Sequence, residues 1–429
     1  MNPNAITSTR LRRAMFSNQR EKRFPPGSPQ DVILRGVAMA ESTYIKRAAR
    51  AIFNRELPDS RALHAILIKP VSDHCNLRCT YCYEGTNENR FPQPRMNVYT
   101  LERTIRTSIE QATGSIEFIW HGGEPLLAGL DFFETGMRLQ NKYRKNDLRV
   151  YNSIQTNGLL INDEWISFFL RHDFSVGVSF DGPAELHDLF RVDSKQQGSH
   201  SRVISALARL ANAGIPLGVI SVIHTEHVGK AAEYLAEVER HEIHHLDIHP
   251  AFGKETEVSK PIQPRDFSDF AIELFEVWLE NGNADIRFNL FDDFLRGYFF
   301  RSPDTCYFAG TCTKIVAVEA NGDVVPCTRP FDRALYSFGN IQLASLKQIK
   351  DGHKLSAFME RDLQSQQKAS ACKWAHLCHN GCPQHRVDND GKQDIAGNNY
   401  YCECTSGIPG GHASIWNHIE ARLGELFDS

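Results

Sequence analysis

Short apolar runs alternate with longer amphipathic stretches between residues 63 and 250. The runs are rich in branched side chains and have the length of strands, whereas the stretches between them repeat their apolar residues at helical spacing. This alternation predicts parallel βαβ units in an α/β fold, which binds ligands at the carboxyl ends of its strands. The predicted strands are 63–69, 115–120, 149–156, 174–180, 216–224 and 243–249. The predicted helices are about 98–113, 131–146, 162–172, 199–213 and 226–240.

The length of 429 residues suits two or three domains. Helical and aromatic residues at 265–300 are expected to connect a catalytic core to a C-terminal module, and the tail 411–429 is expected to form an amphipathic helix. A further short helix is predicted at 40–56. The predicted domains are a basic N-terminal extension 1–60, the βα core 61–255, a helical linker 256–300 and a cysteine-rich module 301–429.

The charges of the chain nearly balance, with 48 Lys and Arg against 52 Asp and Glu for a net charge of −4. That balance argues against nucleic acid or an anionic membrane surface as a partner, and no run of about 18 apolar residues exists to span a bilayer. The first 60 residues differ, since they are net +6 while the remainder is −10. We expect this extension to pack on the core; binding a leader peptide or another partner is the alternative.

Eleven cysteines are the most informative feature of the composition. Their odd number, without a secretory signal, argues against a disulfide framework and for a cytoplasmic protein whose thiols serve metal or redox chemistry. Cys75, Cys79 and Cys82 lie within eight residues, and the stretch 83–305 contains none. The other eight are Cys306, Cys312, Cys327, Cys372, Cys378, Cys382, Cys402 and Cys404.

Four consecutive predicted strands run into glycine-rich or polar loops. The first is followed by the three clustered cysteines in a C-x3-C-x2-C pattern, and the second by the loop His-Gly-Gly-Glu-Pro at 121–125. The third ends in Gln-Thr-Asn-Gly at 155–158 and the fourth in Ser-Phe-Asp-Gly-Pro at 179–183. Because these loops share one edge of the sheet, they predict a composite active site. Asn157 and Asp181 are interpreted as residues that order their turns.

Three thiolates in this spacing can hold one metal centre from a single loop. A closed structural zinc site needs four protein ligands, so a zinc site or a set of redox thiols is the less specific interpretation. A [4Fe–4S] cluster held by three cysteines keeps one iron open for a further ligand, which suits it to catalysis.

In combination, the cysteine pattern and the Gly-Gly-Glu-Pro loop resemble the radical S-adenosylmethionine (SAM) superfamily over roughly residues 63–250. The resemblance implies a partial (β/α)6 TIM-type barrel in which Cys75, Cys79 and Cys82 hold the catalytic cluster. It also implies that the reduced cluster cleaves SAM to a 5′-deoxyadenosyl radical, which removes a hydrogen atom from the substrate. The resemblance places backbone atoms of Tyr81 near the adenine of SAM. It places Gly122, Gly123 and Glu124 at the methionine ammonium. It places Ser179 at the carboxylate, together with Arg202 in preference to Arg191.

The eight later cysteines resemble the SPASM domain, a C-terminal extension of radical SAM maturases that carries two auxiliary [4Fe–4S] clusters. Residues 314–327 resemble its β-hairpin, with Asn-Gly at 321–322 as the turn. The family's second cysteine run usually begins C-x2-C, but Ala369 stands three residues before Cys372. Cys404 is expected to replace that ligand; a cluster with only three thiolates is the alternative. Family topology implies one cluster on Cys306, Cys312, Cys327 and Cys382 and another on Cys372, Cys378, Cys402 and Cys404.

The resemblance implies a maturase of a ribosomally made precursor peptide, with leader and core segments, that takes electrons from a flavodoxin- or ferredoxin-type reductant. Anaerobic sulfatase-maturing enzymes of this group typically carry an acidic residue, serving as base, where Thr328 stands here. We therefore expect a carbon–carbon or thioether cross-link, or another oxidation, with the auxiliary clusters as electron acceptors. A sulfatase-type maturase that oxidises Cys or Ser to formylglycine is the alternative, and a non-enzymatic zinc or iron–sulfur protein is a third.

Three other side chains have two interpretations each. Arg191 can pair with Asp188 instead of binding SAM. His121, beside the Gly-Gly-Glu sequence, is either structural or a contact to SAM or the substrate. His249, in a strand with several histidines nearby, is interpreted as a substrate contact at the barrel mouth and not as a metal ligand.

Overall fold

A computed structural model describes residues 63–84, 95–252, 260–283, 285–300, 303, 305–310, 312–329 and 333–428. The basic segment 1–60, with the helix predicted at 40–56, lies outside the described residues. The predicted domain boundaries therefore stay predictions, and the elements below belong to the core and the cysteine-rich module.

The six predicted strands and the five predicted helices of the core are confirmed, and one more short helix follows the fourth strand. The strands are β1 Ala65–Ile68, β2 Ser115–Trp120, β3 Arg149–Thr156, β4 Phe174–Ser179, β5 Leu217–Ile223 and β6 His245–Pro250. The helices are α1 Val98–Gln111, α2 Leu130–Tyr143, α3 Asp163–Arg171, α4 Ala184–Phe190, α5 His200–Asn212 and α6 Ala231–Arg240.

The linker and the C-terminal module contain shorter elements around three long helices. The predicted helical linker is confirmed as two helices with a two-residue strand between them, and the predicted tail helix is also confirmed. The helices are α7 Pro264–Asn281, α8 Asn289–Phe300, α9 Arg333–Tyr336, α10 Leu346–Lys350, α11 His353–Lys368, α12 Ala375–Cys378, α13 Glu403–Ser406 and α14 His412–Asp428. The strands are β7 Arg287–Phe288, β8 Ile315–Val318, β9 Asp323–Val325, β10 Gly339–Asn340, β11 Arg386–Val387 and β12 Asn398–Asn399.

Ten of these strands form one largely parallel sheet in the order β10-β9-β8-β1-β2-β3-β4-β5-β6-β7. Strands β1 to β7 are parallel to their neighbours, as expected for a partial TIM-type core. Parallel strands place their carboxyl ends at one edge, so the four polar loops predicted from the sequence meet there. The described part of the chain has no helix with the length and apolarity needed to cross a membrane.

The cysteine-rich module continues the sheet of the core. The predicted hairpin at 314–327 is confirmed as β8 and β9, which pair antiparallel. Gly322 at its turn has φ +89°, a left-handed conformation that glycine adopts without strain. On its other side β8 pairs in parallel with β1, Ala65 opposite Ile315. This pairing brings the turn of the hairpin to the same edge as the loops of the core, where the backbone N–H of Ala320 donates to Ser72 Oγ at 3.2 Å.

A buried lysine joins these parts at the carboxyl end of β1. Lys69 is 1% exposed, and its Nζ lies 2.7 Å from a carboxylate oxygen of Glu84 and 3.0 Å from one of Glu319. Burial alone would lower the pKa of Lys69, but the two carboxylates raise it above its ordinary value, so the ammonium stays charged. Glu84 follows the cysteine loop and Glu319 follows β8, so this cation connects the loop to the C-terminal module.

Substitution Lys69→Met is expected to lower the free energy of unfolding by about 3–5 kcal/mol, because it leaves two carboxylates in a buried site without their cation. Denaturant unfolding measures the change. Lys142→Met is the matched control, since Lys142 pairs with Glu102 on the surface and its loss should change stability little. Equal stability of the Lys69 variant and the wild type would contradict the connection described here.

Candidate active site

A cavity of about 240 Å³ opens at the carboxyl ends of the parallel strands. Its walls come from the loops after β1 to β4 and from the C-terminal module, which contributes the segment after β9. The composite site predicted from the four loops is therefore present as one space. Its lining includes Cys75, Cys79, Tyr81, Cys82, Gly122, Gly123, Ser179, Arg191 and Thr328.

The three clustered cysteines all line this cavity. Burial raises the pKa of Cys75 to about 11 and that of Cys79 to about 12, and the neighbouring thiols add to the effect. Thiols with such pKa values hold their protons at neutral pH. A metal centre that binds all three thiols displaces those protons and stabilises the thiolates. The three cysteines are therefore suited to bind one positively charged metal centre.

Two glycines pack the second loop against the start of the cysteine loop. Gly122 has φ +112°, and a Cβ there would lie 2.6 Å from the carbonyl oxygen of Ser72. A Cβ on Gly123 would lie 2.1 Å from the carbonyl oxygen of His74. The backbone N–H of Gly123 donates to the Ser72 oxygen at 2.7 Å. Any larger residue would push the two loops apart, so the glycines keep this wall of the cavity close to Cys75.

Glu124 is fully buried behind those glycines. It accepts hydrogen bonds from Leu126 N, Thr156 Oγ1 and Asn157 N at 3.0, 2.8 and 2.8 Å. Burial nevertheless raises the pKa of Glu124 to about 7. A cation bound nearby would offset that cost and hold the carboxylate ionised, which fits the predicted contact with an ammonium group.

A buried hydrogen-bond network centred on Asp181 supports the cysteine loop. Arg191 Nε donates to Asp181 Oδ2 at 2.6 Å, and Tyr81 Oη donates to the same oxygen at 2.7 Å. Although burial opposes ionisation, Arg191 holds the pKa of Asp181 down to about 2. The guanidinium also lies over the Tyr81 ring, 5.3 Å from its centroid. Asp181 is thus more than a turn residue, because it orders the aromatic residue between the second and third cysteines.

These contacts place the two candidate arginines differently, and their predicted roles toward SAM stay predictions. The alternative partner of Arg191, Asp188, instead accepts from the backbone N–H of His200 at 2.8 Å. Arg202, preferred as a carboxylate contact, does not line the cavity; its side chain is 45% exposed and pairs with Asp193 at 3.3 Å. The reason is position, since Arg202 lies in the first turn of α5, whereas Arg191 directly follows α4 beside the strand ends.

The wall contributed by the C-terminal module has a side chain that sequence reasoning missed. Arg329 lies in the cavity, its backbone N–H donates to Cys327 Sγ at 3.3 Å, and its guanidinium stacks over Tyr307 at 5.7 Å from the ring centroid. The same guanidinium lies 3.4 Å from His249 Nδ1. The sequence does contain a signal for Arg329, because a positively charged residue stands two positions after Cys327, a predicted cluster ligand. His121 and His249 also line the cavity.

The eight later cysteines fall into the two predicted groups. In the first group, burial raises the pKa of the Cys312 thiol well above its ordinary value. The neighbouring thiols of Cys327, Cys382 and Cys306 add to this effect. In the second group, Cys372 Sγ and Cys404 Sγ lie 2.7 Å apart, and the Cys402 thiol forms hydrogen bonds with both Cys378 and Cys404. Cys404 therefore lies beside Cys372, and its role as the replacement ligand stays a prediction. Among the described residues, no three His, Cys, Asp or Glu side chains are spaced to hold a single metal ion.

Comparison with known proteins gives matches over both modules. The Radical SAM superfamily matches residues 70–282, and SPASM, an iron–sulfur cluster-binding domain, matches residues 306–383. A cysteine-type anaerobic sulfatase-maturating enzyme of Clostridium perfringens is 34% identical over 351 residues, which are 79% of this chain and 93% of that relative.

Solved structures show the same arrangement. The structure of native anSMEcpe with bound AdoMet and Cp18Cys peptide has a TM-score of 0.74 and 29% identity, covering 85% of this chain and 99% of that chain. Streptococcus suis SuiB bound to its precursor peptide SuiA has a TM-score of 0.58 at 14% identity, covering 94% of this chain and 87% of that chain. The second likeness concerns the fold alone.

Proposed function

The chain belongs to the radical SAM superfamily and carries a SPASM domain, and from this premise we propose that it is a maturase that oxidises a cysteine side chain of a protein or peptide substrate to formylglycine. Serine is the alternative target. The proposal rests on the 34% identity to a cysteine-type sulfatase-maturating enzyme across 93% of its length, because that match includes both modules. It supports the sulfatase-type alternative better than the cross-linking maturase expected from Thr328.

The donor sets of this chain suit the cofactors of such an enzyme. When bound, SAM and its iron–sulfur clusters supply a 5′-deoxyadenosyl radical and an acceptor for a second electron. We assign the catalytic cluster to Cys75, Cys79 and Cys82. The auxiliary clusters are assigned to Cys306, Cys312, Cys327 and Cys382 and to Cys372, Cys378, Cys402 and Cys404.

Most of the proposed SAM contacts line the cavity, and Glu124 lies buried directly behind Gly123. Gly122 and Gly123 let the backbone approach the methionine ammonium, and Glu124 meets its charge. Backbone atoms of Tyr81 remain the proposed contact to the adenine. At the carboxylate we assign Ser179 with Arg191 in place of Arg202, because Ser179 and Arg191 line the cavity and a guanidinium can hold a carboxylate with two hydrogen bonds.

Oxidation of a cysteine to formylglycine requires a base in the cavity. The side chain loses a hydrogen atom from Cβ, a proton from sulfur and one electron, and the thioaldehyde that results takes up water and releases hydrogen sulfide. Thr328 is a poor proton acceptor at neutral pH. Glu84 is bound to Lys69, and burial with Lys69 and Arg329 lowers the pKa of His121 to about 4. These groups are therefore weak candidates for the base.

We assign the proton to His249 Nδ1. His249 Nε2 lies 3.1 Å from Asp247 Oδ2, so the N–H of that nitrogen donates to the carboxylate and the lone pair lies on Nδ1. In the resting site this lone pair accepts from the Arg329 guanidinium at 3.4 Å, so the substrate must displace Arg329 before the proton is transferred. Asp247 lies behind the ring and fixes its orientation. This pairing of a histidine with a carboxylate is the usual way a protein strengthens a histidine base.

The substrate in this proposal enters as an extended peptide segment. The peptide complex of the anSMEcpe structure supports a peptide partner in general terms. A flavodoxin- or ferredoxin-type protein is the proposed electron donor, and the leader-binding role of a precursor peptide stays a prediction.

A cross-linking peptide maturase is the second candidate. One observation favours it: the position after Cys327 carries Thr328 and then Arg329, so the wall there presents a hydroxyl and a cation to the cavity where an acid would serve as base. In that case the product retains its sulfur and loses two hydrogen atoms.

The function is tested with anaerobically reconstituted enzyme, SAM, dithionite and a peptide that spans the modified cysteine of a sulfatase. Mass spectrometry and hydrazide labelling should show loss of sulfur and gain of an aldehyde, with the serine peptide converted more slowly and the alanine peptide unchanged. A product that retains sulfur and lacks two hydrogens would favour the second candidate. Absence of SAM cleavage would reject both.

Substitution His249→Ala should lower formation of the aldehyde by roughly 10²- to 10⁴-fold, the usual contribution of a general base. SAM cleavage should continue, so the ratio of 5′-deoxyadenosine to aldehyde rises. His244→Ala is the control, because His244 is exposed just before the same strand. An unchanged ratio in the His249 variant would remove His249 from the mechanism.

Substitution Cys404→Ser should cost about one third of the bound iron and sulfide, because one of three four-iron clusters loses a ligand. Ser406→Ala, in the same short helix, should retain the full content. The double variant Ala369→Cys, Cys404→Ser tests the replacement directly and is expected to recover part of the loss. Full iron content in Cys404→Ser would mean that this thiol is not a ligand.

A further inference from the structure

The turn after β3 contacts two parts of the active site at once. The backbone N–H of Asn157 donates to Glu124 Oε2 at 2.8 Å, while Thr156 Oγ1 donates to the other oxygen at 2.8 Å. Asn157 is 7% exposed, and Gly158 beside it has φ +80°. Asn157 is therefore held between the loop that carries Glu124 and the loop that carries the cysteines.

The orientation of the Asn157 amide is determined by its neighbours. Its Oδ1 accepts from the backbone N–H of Leu159 at 3.0 Å, so the NH₂ group must point the other way. Nδ2 lies 2.7 Å from Asn76 Oδ1 and 3.6 Å from Cys75 Sγ. Each of its two hydrogens thus has one acceptor, and one of these acceptors is the sulfur of a cluster ligand.

Cys75 Sγ has a second N–H donor, the backbone of Leu77 at 3.4 Å. Hydrogen bonds to a ligating sulfur draw negative charge from it, and they stabilise the reduced cluster more than the oxidised one because the reduced cluster carries the extra electron. Such bonds raise the reduction potential of an iron–sulfur cluster. A side-chain donor can be removed by mutation without altering the backbone.

We propose that Asn157 is a positioning residue that raises the reduction potential of the catalytic cluster and keeps Cys75 aligned with the carboxylate of Glu124. The same residue then connects the two partners of SAM, the open iron and the ammonium contact. This inference rests on the proposed function only in requiring a cluster on Cys75, Cys79 and Cys82. It does not depend on the identity of the substrate.

The test uses reconstituted full-length protein with two variants. Asn157→Leu has a similar shape and no donor, and Asn157→Asp places a carboxylate oxygen where the NH₂ group was. Electron paramagnetic resonance during potentiometric reduction measures the midpoint of each cluster, and the signal that changes on addition of SAM identifies the catalytic one. That midpoint should be more negative in both variants, so a smaller fraction is reduced at a given potential, while the auxiliary clusters keep theirs.

Asn162→Ala provides the matched control. Asn162 lies in the same connection, but its Oδ1 caps α3 by accepting from Trp165 N at 2.9 Å, so its loss weakens the fold locally without touching a sulfur. Wild-type midpoints in both Asn157 variants would overturn the inference and leave the proposed function intact. A wild-type protein with no SAM-responsive cluster would overturn both.

Discussion

The pairing of β1 with strands on both sides is the constraint on which the candidate site depends. β2 lies along one edge of β1 and β8 along the other, both in parallel. The C-terminal module is therefore hydrogen-bonded into the sheet of the catalytic core. The cysteine loop after β1 and the Gly-Gly-Glu loop after β2 consequently leave the sheet at one edge, and the turn between β8 and β9 lies beside them.

Two sets of buried ion pairs hold this edge together. Lys69 faces Glu84 and Glu319, while Arg191 faces Asp181. A buried ion pair contributes little net stability compared with apolar packing, but removing one member leaves the other in a costly environment. Such pairs therefore act chiefly to specify geometry. One holds the end of the cysteine loop to the C-terminal module, and the other holds Tyr81, between the second and third cysteines, above the sheet.

Features with a local pattern could be predicted from the sequence, and features that depend on distant neighbours could not. The alternation of apolar runs gave every strand of the core, and cysteine spacing with family topology gave the two groups of later thiols. One of the two interpretations of Arg191 paired it with nearby Asp188, yet the structure supplies Asp181 from the end of β4, because Arg191 directly follows α4 beside the strand ends. Arg202 shares the residue type of Arg191 but faces Asp193 on the surface. The spacing of residues along the sequence indicates neither the partner of Arg191 nor that of Arg202.

Arg329 and His249 meet where the C-terminal module faces β6. The Arg329 backbone N–H donates to Cys327 Sγ and favours added negative charge there, while its guanidinium lies 3.4 Å from His249 Nδ1. Asp247 holds the other ring nitrogen of His249 at 3.1 Å. A substrate that reaches His249 therefore displaces the guanidinium from the ring. A reaction that returns a hydrogen atom to the substrate needs a donor thiol instead, and all eleven cysteines are assigned to clusters. The assignment of every cysteine to a cluster therefore favours net oxidation.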